Sequence, residues 1–280
     1  QGVSSAASDV YKRQVSGGID LSVVATANLA SIVAAVMMRA SPELAVLAIP
    51  AALLTGLLCG AFNGVLIAYL RLPPILATLG TLQLYGGLGI VITRGPAITG
   101  LPGWYGETFN ASLGGLVPVP LIVFALVAMA LGALMRFTAT GVRLRLYGAN
   151  PLAARFAGMR EPRLIIRIYA IAGLVAALAG LVILARTNSA NADYGGSYLL
   201  LVILINILAG VSPFGGFGST LGVVLAVITL QLISSGLNFL AFTAFARDLF
   251  FGGLLVVVMS ARALLERGLL PRPRFGKPRP

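Results

Sequence analysis

Long runs of apolar residues, separated by short polar or charged segments, make up most of this 280-residue chain. A membrane-spanning helix needs about 20 such residues. The sixth run is short for a span, and the second is long enough to tilt. The pattern predicts an all-α fold, a polytopic transmembrane helix bundle with about eight spans present. The eight runs cover about residues 21–38, 44–70, 75–93, 116–135, 164–185, 198–213, 217–238 and 246–263.

The composition supports this interpretation and excludes several classes of protein. Hydrophobic residues make up 58% of the chain and charged residues 10%, whereas soluble domains carry about 25% charged residues. The chain has no histidine, which excludes a Ser-His-Asp triad and any metal site that needs a histidine ligand. Cys59 is the single cysteine, so an internal disulfide is excluded.

The positive charge is concentrated in two segments, one between the fourth and fifth runs and one after the last run. Basic residues gather on the cytoplasmic side of membrane proteins. We therefore expect a cytoplasmic loop at 136–163, a cytoplasmic turn at Arg71 and an outer loop at 94–115. Asp20 then lies at the inner start of the first span. No aromatic and basic platform accompanies the charge, so nucleic acid is not an expected partner.

The two ends of the chain differ from its apolar centre. Residues 1–14 form a polar lead that matches neither a signal peptide nor a span. It is either a short cytoplasmic lead or foreign sequence joined to the chain. The transmembrane domain is expected at 15–263. A basic, Pro-rich cytoplasmic tail at 264–280 would then lie near anionic lipid headgroups.

Acidic residues are expected outside the centres of the spans. Asp20 and Asp248 fall at span ends, and Glu43, Glu107 and Asp193 fall in outer loops. Carriers driven by protons or sodium usually keep ionisable groups within the membrane, so this pattern argues against self-energised transport. The chain also lacks the G-x-x-x-x-G-K-[ST] phosphate-binding loop. The pattern therefore predicts neither an enzyme nor an ATP-binding subunit.

Neutral polar residues within the spans have two interpretations. They can make hydrogen bonds between helices, as is common in membrane bundles. Alternatively, some of them line a path for a neutral solute rich in hydroxyl groups, which amides and hydroxyls bind weakly enough to release. The candidates for such a path are Asn63, Thr78, Gln83, Asn206, Gln231 and Asn238.

A short helix is predicted within the loop at 136–163. Asn150 is a favourable N-cap, Pro151 suits the first helical position and Gly158 suits the C-terminal stop. A helix of about two turns is not stable alone. Either it lies on the membrane surface, with Arg155 and Arg160 at the headgroups, or it docks into a cytoplasmic partner.

Several motifs resemble, in order, those of the membrane subunits of ribose-type monosaccharide ABC importers. SGGIDLSV at 16–23 resembles the family's GGIDLSVG signature. GAFNG at 60–64 and RLPPILATLG at 71–80 resemble the segment that follows the signature. YGANPLAARFAG at 147–158 is similar to the family's cytoplasmic loop, and VSPFGGFGS at 211–219 to its glycine-rich turn.

The resemblance implies a permease of the bacterial inner membrane that imports a monosaccharide or related polyol. Its implied partners are a second permease subunit, a cytoplasmic ABC ATPase that carries ATP and Mg²⁺, and an extracytoplasmic solute-binding protein. It implies no catalytic residue, cofactor or metal in this chain. The family usually has about ten spans, so the chain is expected to lack its N-terminal part. Two alternatives stay open: a branched-chain amino-acid ABC permease, and an autonomous secondary carrier or channel.

The resemblance also assigns roles to individual residues. The signature turn would use Gly17, Gly18, Asp20 and Ser22, with Asp20 holding the turn through backbone hydrogen bonds. The short loop helix would couple the permease to its ATPase. The residues expected at that contact are Asn150, Pro151, Ala153, Ala154, Arg155 and Gly158.

Overall fold

The structure is a computed structural model, and it describes residues 20–113, 115, 117–196, 198–211 and 219–266. Within those residues the fold is almost entirely helical, and each of the eight predicted runs contains a helix. The polar lead, Gly17, Gly18, the glycine-rich turn at 212–218 and the tail beyond Glu266 lie outside the described residues. In chain order the elements are α1 (Val23–Ala40), α2 (Pro42–Ala68), α3 (Pro74–Thr93), β1 (Ile98–Thr99), α4 (Gly103–Asn110), β2 (Ser112–Leu113), β3 (Val117–Pro118), α5 (Val119–Phe137), α6 (Ala139–Ala149), α7 (Pro151–Phe156), α8 (Glu161–Thr187), β4 (Ser189–Ala190), α9 (Tyr198–Leu208), α10 (Thr220–Phe239) and α11 (Ala244–Glu266).

Six helices in the described part of the chain, α1, α2, α3, α5, α8 and α10, are long and apolar enough to cross a membrane. Many of their large apolar side chains are exposed on this single chain, among them Val46, Val91 and Met129. Exposed apolar surface of this extent is expected where helices face lipid or other membrane subunits. The predicted all-α polytopic bundle is confirmed.

The bundle centres on α8, which packs against α2 through glycine. Gly56, Gly60 and Gly64 follow one another at intervals of four residues, so they share one face of α2. A methyl group at Gly60 would collide with the carbonyl oxygen of Tyr169, and one at Gly56 with that of Gly173. The two backbones are therefore in direct contact. Small residues permit such contacts between membrane helices, where dispersion forces between packed atoms supply much of the attraction.

The helix α8 also packs against α1, further toward the outer end. A methyl group at Gly180 would collide with the carbonyl oxygen of Ala27. Around this contact the largest buried apolar cluster includes Ile32 of α1 and Leu181 and Leu184 of α8. The helix α8 thus touches both α1 and α2 through backbone, which makes it the central element of the bundle.

The connections predicted to be on the outer side meet at one end of the bundle. β1 pairs with β4 in an antiparallel register that sets Ile98 opposite Ala190. The hydroxyl of Tyr105 in α4 donates to the carbonyl oxygen of Leu181 at 2.7 Å, and this side chain is completely buried. The loop at 94–115 therefore lies at the same end as the C-terminus of α8, as the predicted topology requires.

The sixth run, predicted at 198–213, contains a short helix, α9, which begins at Tyr198 and ends at Leu208. α9 has 11 residues, or about 16 Å at 1.5 Å per residue, half the thickness of a bilayer core. Residues 191–196, just before it, are not helical and run back along α1. The side chain of Asn28 donates to the carbonyls of Ala192 and Tyr194.

Asp193 lies in the non-helical connection between β4 and α9, and this connection is held beside α1. Asp193 stands between the two residues whose carbonyls bind Asn28. Asn28 lies twelve residues before the outer end of α1 at Ala40, so Asp193 lies beside the helix. Asn28 thereby satisfies two backbone carbonyls of this non-helical segment.

The contact between α2 and α8 can be tested by adding a methyl group. We expect Gly60→Ala to destabilise the purified protein by about 1–3 kcal/mol, because the backbone of α8 would have to move away. Gly80→Ala is the matched control, since a methyl group there meets nothing within 4 Å. Thermal unfolding in detergent measures both. Equal melting temperatures for the two variants would contradict the packing described.

Candidate functional site

The signature turn is closed by Asp20. Its Oδ1 accepts hydrogen bonds from the backbone amide of Ser22 at 2.9 Å and from the Ser22 hydroxyl at 2.7 Å. Ser22 is completely buried, and its backbone carbonyl accepts from Thr26 at 2.8 Å in the first turn of α1. A short polar side chain that binds the backbone two residues on is a common way to fix a turn before a helix. The predicted backbone hydrogen bond of Asp20 is present.

A buried chain of hydrogen bonds connects this turn to α2 and α3. The amide of Asn63 donates to the Ser22 hydroxyl at 2.7 Å. The hydroxyl of Tyr85 lies 2.9 Å from the carbonyl oxygen of Cys59 and 3.3 Å from Oδ1 of Asn63, both of which can accept its proton. Since unsatisfied polar groups are costly in an apolar interior, this network fixes the turn against the two neighbouring helices.

The candidate path residues fall into two groups. Asn63 and Thr78 are completely buried, and the Thr78 hydroxyl donates to Pro74 O of its own helix at 2.8 Å. The other four, Gln83, Asn206, Gln231 and Asn238, are exposed on this chain. Asn206 donates to Val202 O at 2.9 Å, and Asn238 accepts from Arg247 at 2.6 Å. For Asn63 and Thr78 the hydrogen bonds favour a structural role.

The loop helix, predicted at 151–157, is present as α7 (Pro151–Phe156), one residue shorter at its C-terminal end. Asn150 is its N-cap, and its Oδ1 accepts from the amide of Ala153 at 3.0 Å. Ala154 is buried against Tyr147 and Leu164. Gly158 follows with φ at +74°, a conformation that favours glycine. The local signals for this helix were therefore sufficient.

The carboxylate of Glu161 joins α6 and α7 to the start of α8. Arg155 of α7 donates from Nε to Oε2 of Glu161 at 2.5 Å. Tyr147 of α6 donates to Oε1 of the same side chain. The hydrogen bond to Glu161 raises the pKa of Arg155. Burial raises the pKa of the Tyr147 hydroxyl, and the hydrogen bond to Glu161 raises it further. Both groups remain hydrogen-bond donors at neutral pH, so Glu161 holds α6 and α7 on the start of α8.

Sequence reasoning missed this clamp of Tyr147, Arg155 and Glu161, although one signal was available. Glu161 is the only acidic residue in the loop at 136–163, which also contains six arginines. Which arginine it pairs with, and that Tyr147 joins them, depend on the angle between α6 and α7. That angle cannot be read from the sequence.

One face of α7 is apolar and exposed on this chain. Leu152 is 61% exposed and Phe156 is 86% exposed. They are four residues apart, so they lie on the same face of the helix. Sequence reasoning also missed this pair. Its signal was an apolar pair at helical spacing within an otherwise basic loop outside the membrane.

This chain is similar to known permease proteins along most of its length. A family described as branched-chain amino acid transport system, permease component, matches residues 14–259. The autoinducer 2 import system permease protein LsrD of Yersinia enterocolitica is 35% identical over 263 residues, which are 91% of this chain and 79% of that protein. LsrD of Klebsiella pneumoniae is 37% identical over 256 residues, which are 89% of this chain and 76% of that protein. No solved structure matches the chain.

These similarities agree with the resemblance found in the motifs and with the apolar helices of the fold. The relatives are transport components, and the chain is accordingly a multi-pass protein of the inner membrane rather than an enzyme. The chain belongs to the family of branched-chain amino acid transport system permease components.

Proposed function

We propose that this chain is the permease subunit of an ABC importer that carries a monosaccharide or related polyol, driven by a separate ATPase. The observation that supports this proposal most is the loop helix α7. Asn150 caps this helix, Glu161 binds it to the start of α8, and its exposed face is apolar. A six-residue helix is not stable alone. A rigid, exposed and apolar helix of this kind is suited to insertion into a partner.

The clamp explains how α7 would transmit a movement. Because Arg155 and Tyr147 both bind Glu161 at the start of α8, a displacement of α7 would move α8 as well. The helix α8 then continues for 27 residues through the centre of the bundle. A partner that pushes on Leu152 and Phe156 would thereby act on the packed core.

The energy source is proposed to lie in a separate subunit. ATP and Mg²⁺ would be held by a cytoplasmic ATPase, since the phosphate-binding loop motif is absent from this sequence. A second permease subunit in the membrane and a solute-binding protein at the outer loops would complete the importer. The chain itself would supply one half of the path.

The cargo is proposed to be a neutral solute rich in hydroxyl groups. The similar LsrD proteins are permeases for autoinducer 2, so autoinducer 2 and ribose are the first solutes to test. The name of the family points instead to branched-chain amino acids. Leucine is therefore included in the same uptake panel.

The docking role of α7 can be tested with Phe156→Ala. We expect ATP-driven uptake to fall about tenfold, because exposed aromatic side chains often supply much of an interface's binding energy. Phe245→Ala is the matched control, as Phe245 is also 86% exposed but lies at the start of α11. Uptake into vesicles and copurification of the ATPase are measured together. Normal copurification and uptake for Phe156→Ala would contradict the proposal.

The clamp can be tested by exchanging its charges. Arg155→Glu places two carboxylates together, so we expect loss of coupled uptake while the permease still inserts in the membrane. Combining it with Glu161→Arg restores opposite charges and is expected to recover part of the uptake. Arg143→Glu, at an exposed position of α6, controls for the change in net charge. A double variant no better than Arg155→Glu would show that the pair does not act as a clamp.

A further inference from the structure

The segment at 191–196, between β4 and α9, is held against α1 by one buried amide. Nδ2 of Asn28 donates to Ala192 O at 2.8 Å and to Tyr194 O at 2.7 Å. Asn28 is only 7% exposed. The hydroxyls of Ser189 and Tyr194 are also hydrogen-bonded to each other, at 2.8 Å. These contacts give a non-helical backbone a defined position.

This segment lies beside the central and inner turns of α1. Asn28 lies eleven residues before Arg39 on α1, which corresponds to about 16 Å along the helix axis. A bilayer core is about 30 Å thick. A methyl group at Gly195 would lie 3.7 Å from a side-chain carbon of Val24, one turn further toward the inner side. Measured along α1, the non-helical segment therefore lies about half a bilayer thickness from the outer end of that helix, and the short helix α9 follows it.

The side chain of Asp193 is exposed on this chain at that depth. Non-helical backbone within a membrane occurs where it is buried in protein or lines a water-filled cavity. A carboxylate that faced lipid there would cost about 2.5–3.5 kcal/mol or more. Asp193 must therefore face water, a solute or another subunit.

We propose that residues 191–196 line the solute path at the membrane midplane and that Asp193 contacts the cargo. Discontinuous helices near the midplane are a common position for substrate sites in transporters. A carboxylate accepts hydrogen bonds from two hydroxyl groups at once, which suits a polyol. Asn28 is a positioning residue, because it holds the carbonyls on both sides of Asp193. This inference rests on the proposed function.

The first test measures the solute affinity of Asp193→Asn in vesicles that contain the permease with its ATPase and solute-binding protein. We expect the apparent KM for labelled ribose or autoinducer 2 to rise about tenfold, because a charge-assisted hydrogen bond is replaced by a neutral one. The maximal rate should change much less. Asp248→Asn, at an exposed position of α11, is the matched control and should leave both values unchanged.

The second test does not depend on transport. Cys59 is the only cysteine, so Cys59→Ser with Asp193→Cys gives a single reporter thiol. A membrane-impermeant, water-soluble thiol reagent is expected to label it, and ribose or autoinducer 2 is expected to slow that labelling. Cys59→Ser with Glu107→Cys should be labelled at a rate that the solute does not change.

The outcomes separate this inference from the proposed function. If the unmodified chain transports the solute but Asp193→Asn has an unchanged KM, the inference is overturned and the function stands. If the unmodified chain transports no solute in the panel, the proposed function fails. Labelling then decides the inference alone: a reactive thiol at 193 supports an aqueous path, and an unreactive one excludes it.

Discussion

The direct backbone contact of α8 with α1 and α2 is the constraint on which the rest of the structure depends. Glycines at 56, 60, 173 and 180 let these helices approach until a single methyl group would collide with a facing carbonyl. At such a distance the helices cannot slide or rotate without losing contacts along their whole length. The three helices therefore behave as one unit, and the cytoplasmic loop and the outer strands are attached to it.

This unit connects the two regions with the greatest functional interest. At its inner end, Glu161 fixes the exposed loop helix α7 to α8. Further along α8, Gly180 touches Ala27, whose neighbour Asn28 holds the non-helical segment beside Asp193. A rigid series of contacts thus runs from the proposed ATPase contact to the proposed solute path. Such a connection is the physical basis that alternating access requires, since both ends must change together.

Much of this arrangement could be predicted from the sequence, and the exceptions share a cause. The eight runs and the caps of α7 are local or compositional signals, and in the described residues each run contains a helix and α7 has its expected cap at Asn150. The clamp on Glu161 and the position of Asp193 depend on side chains far apart in sequence. Asn28 binds carbonyls 164 and 166 residues away, and nothing in either local pattern indicates that pairing. Hydropathy alone therefore could not show that Asp193 lies beside α1.

The central claim is that this permease moves a neutral solute only when a separate ATPase drives it through α7. The most direct measurement is uptake of labelled ribose, autoinducer 2 and leucine into vesicles that hold the permease, its ATPase and its solute-binding protein, with each component omitted in turn. We expect uptake of a hydroxyl-rich solute that stops when the ATPase, ATP or the binding protein is left out. Uptake by the permease alone, driven by an ion gradient, would contradict it.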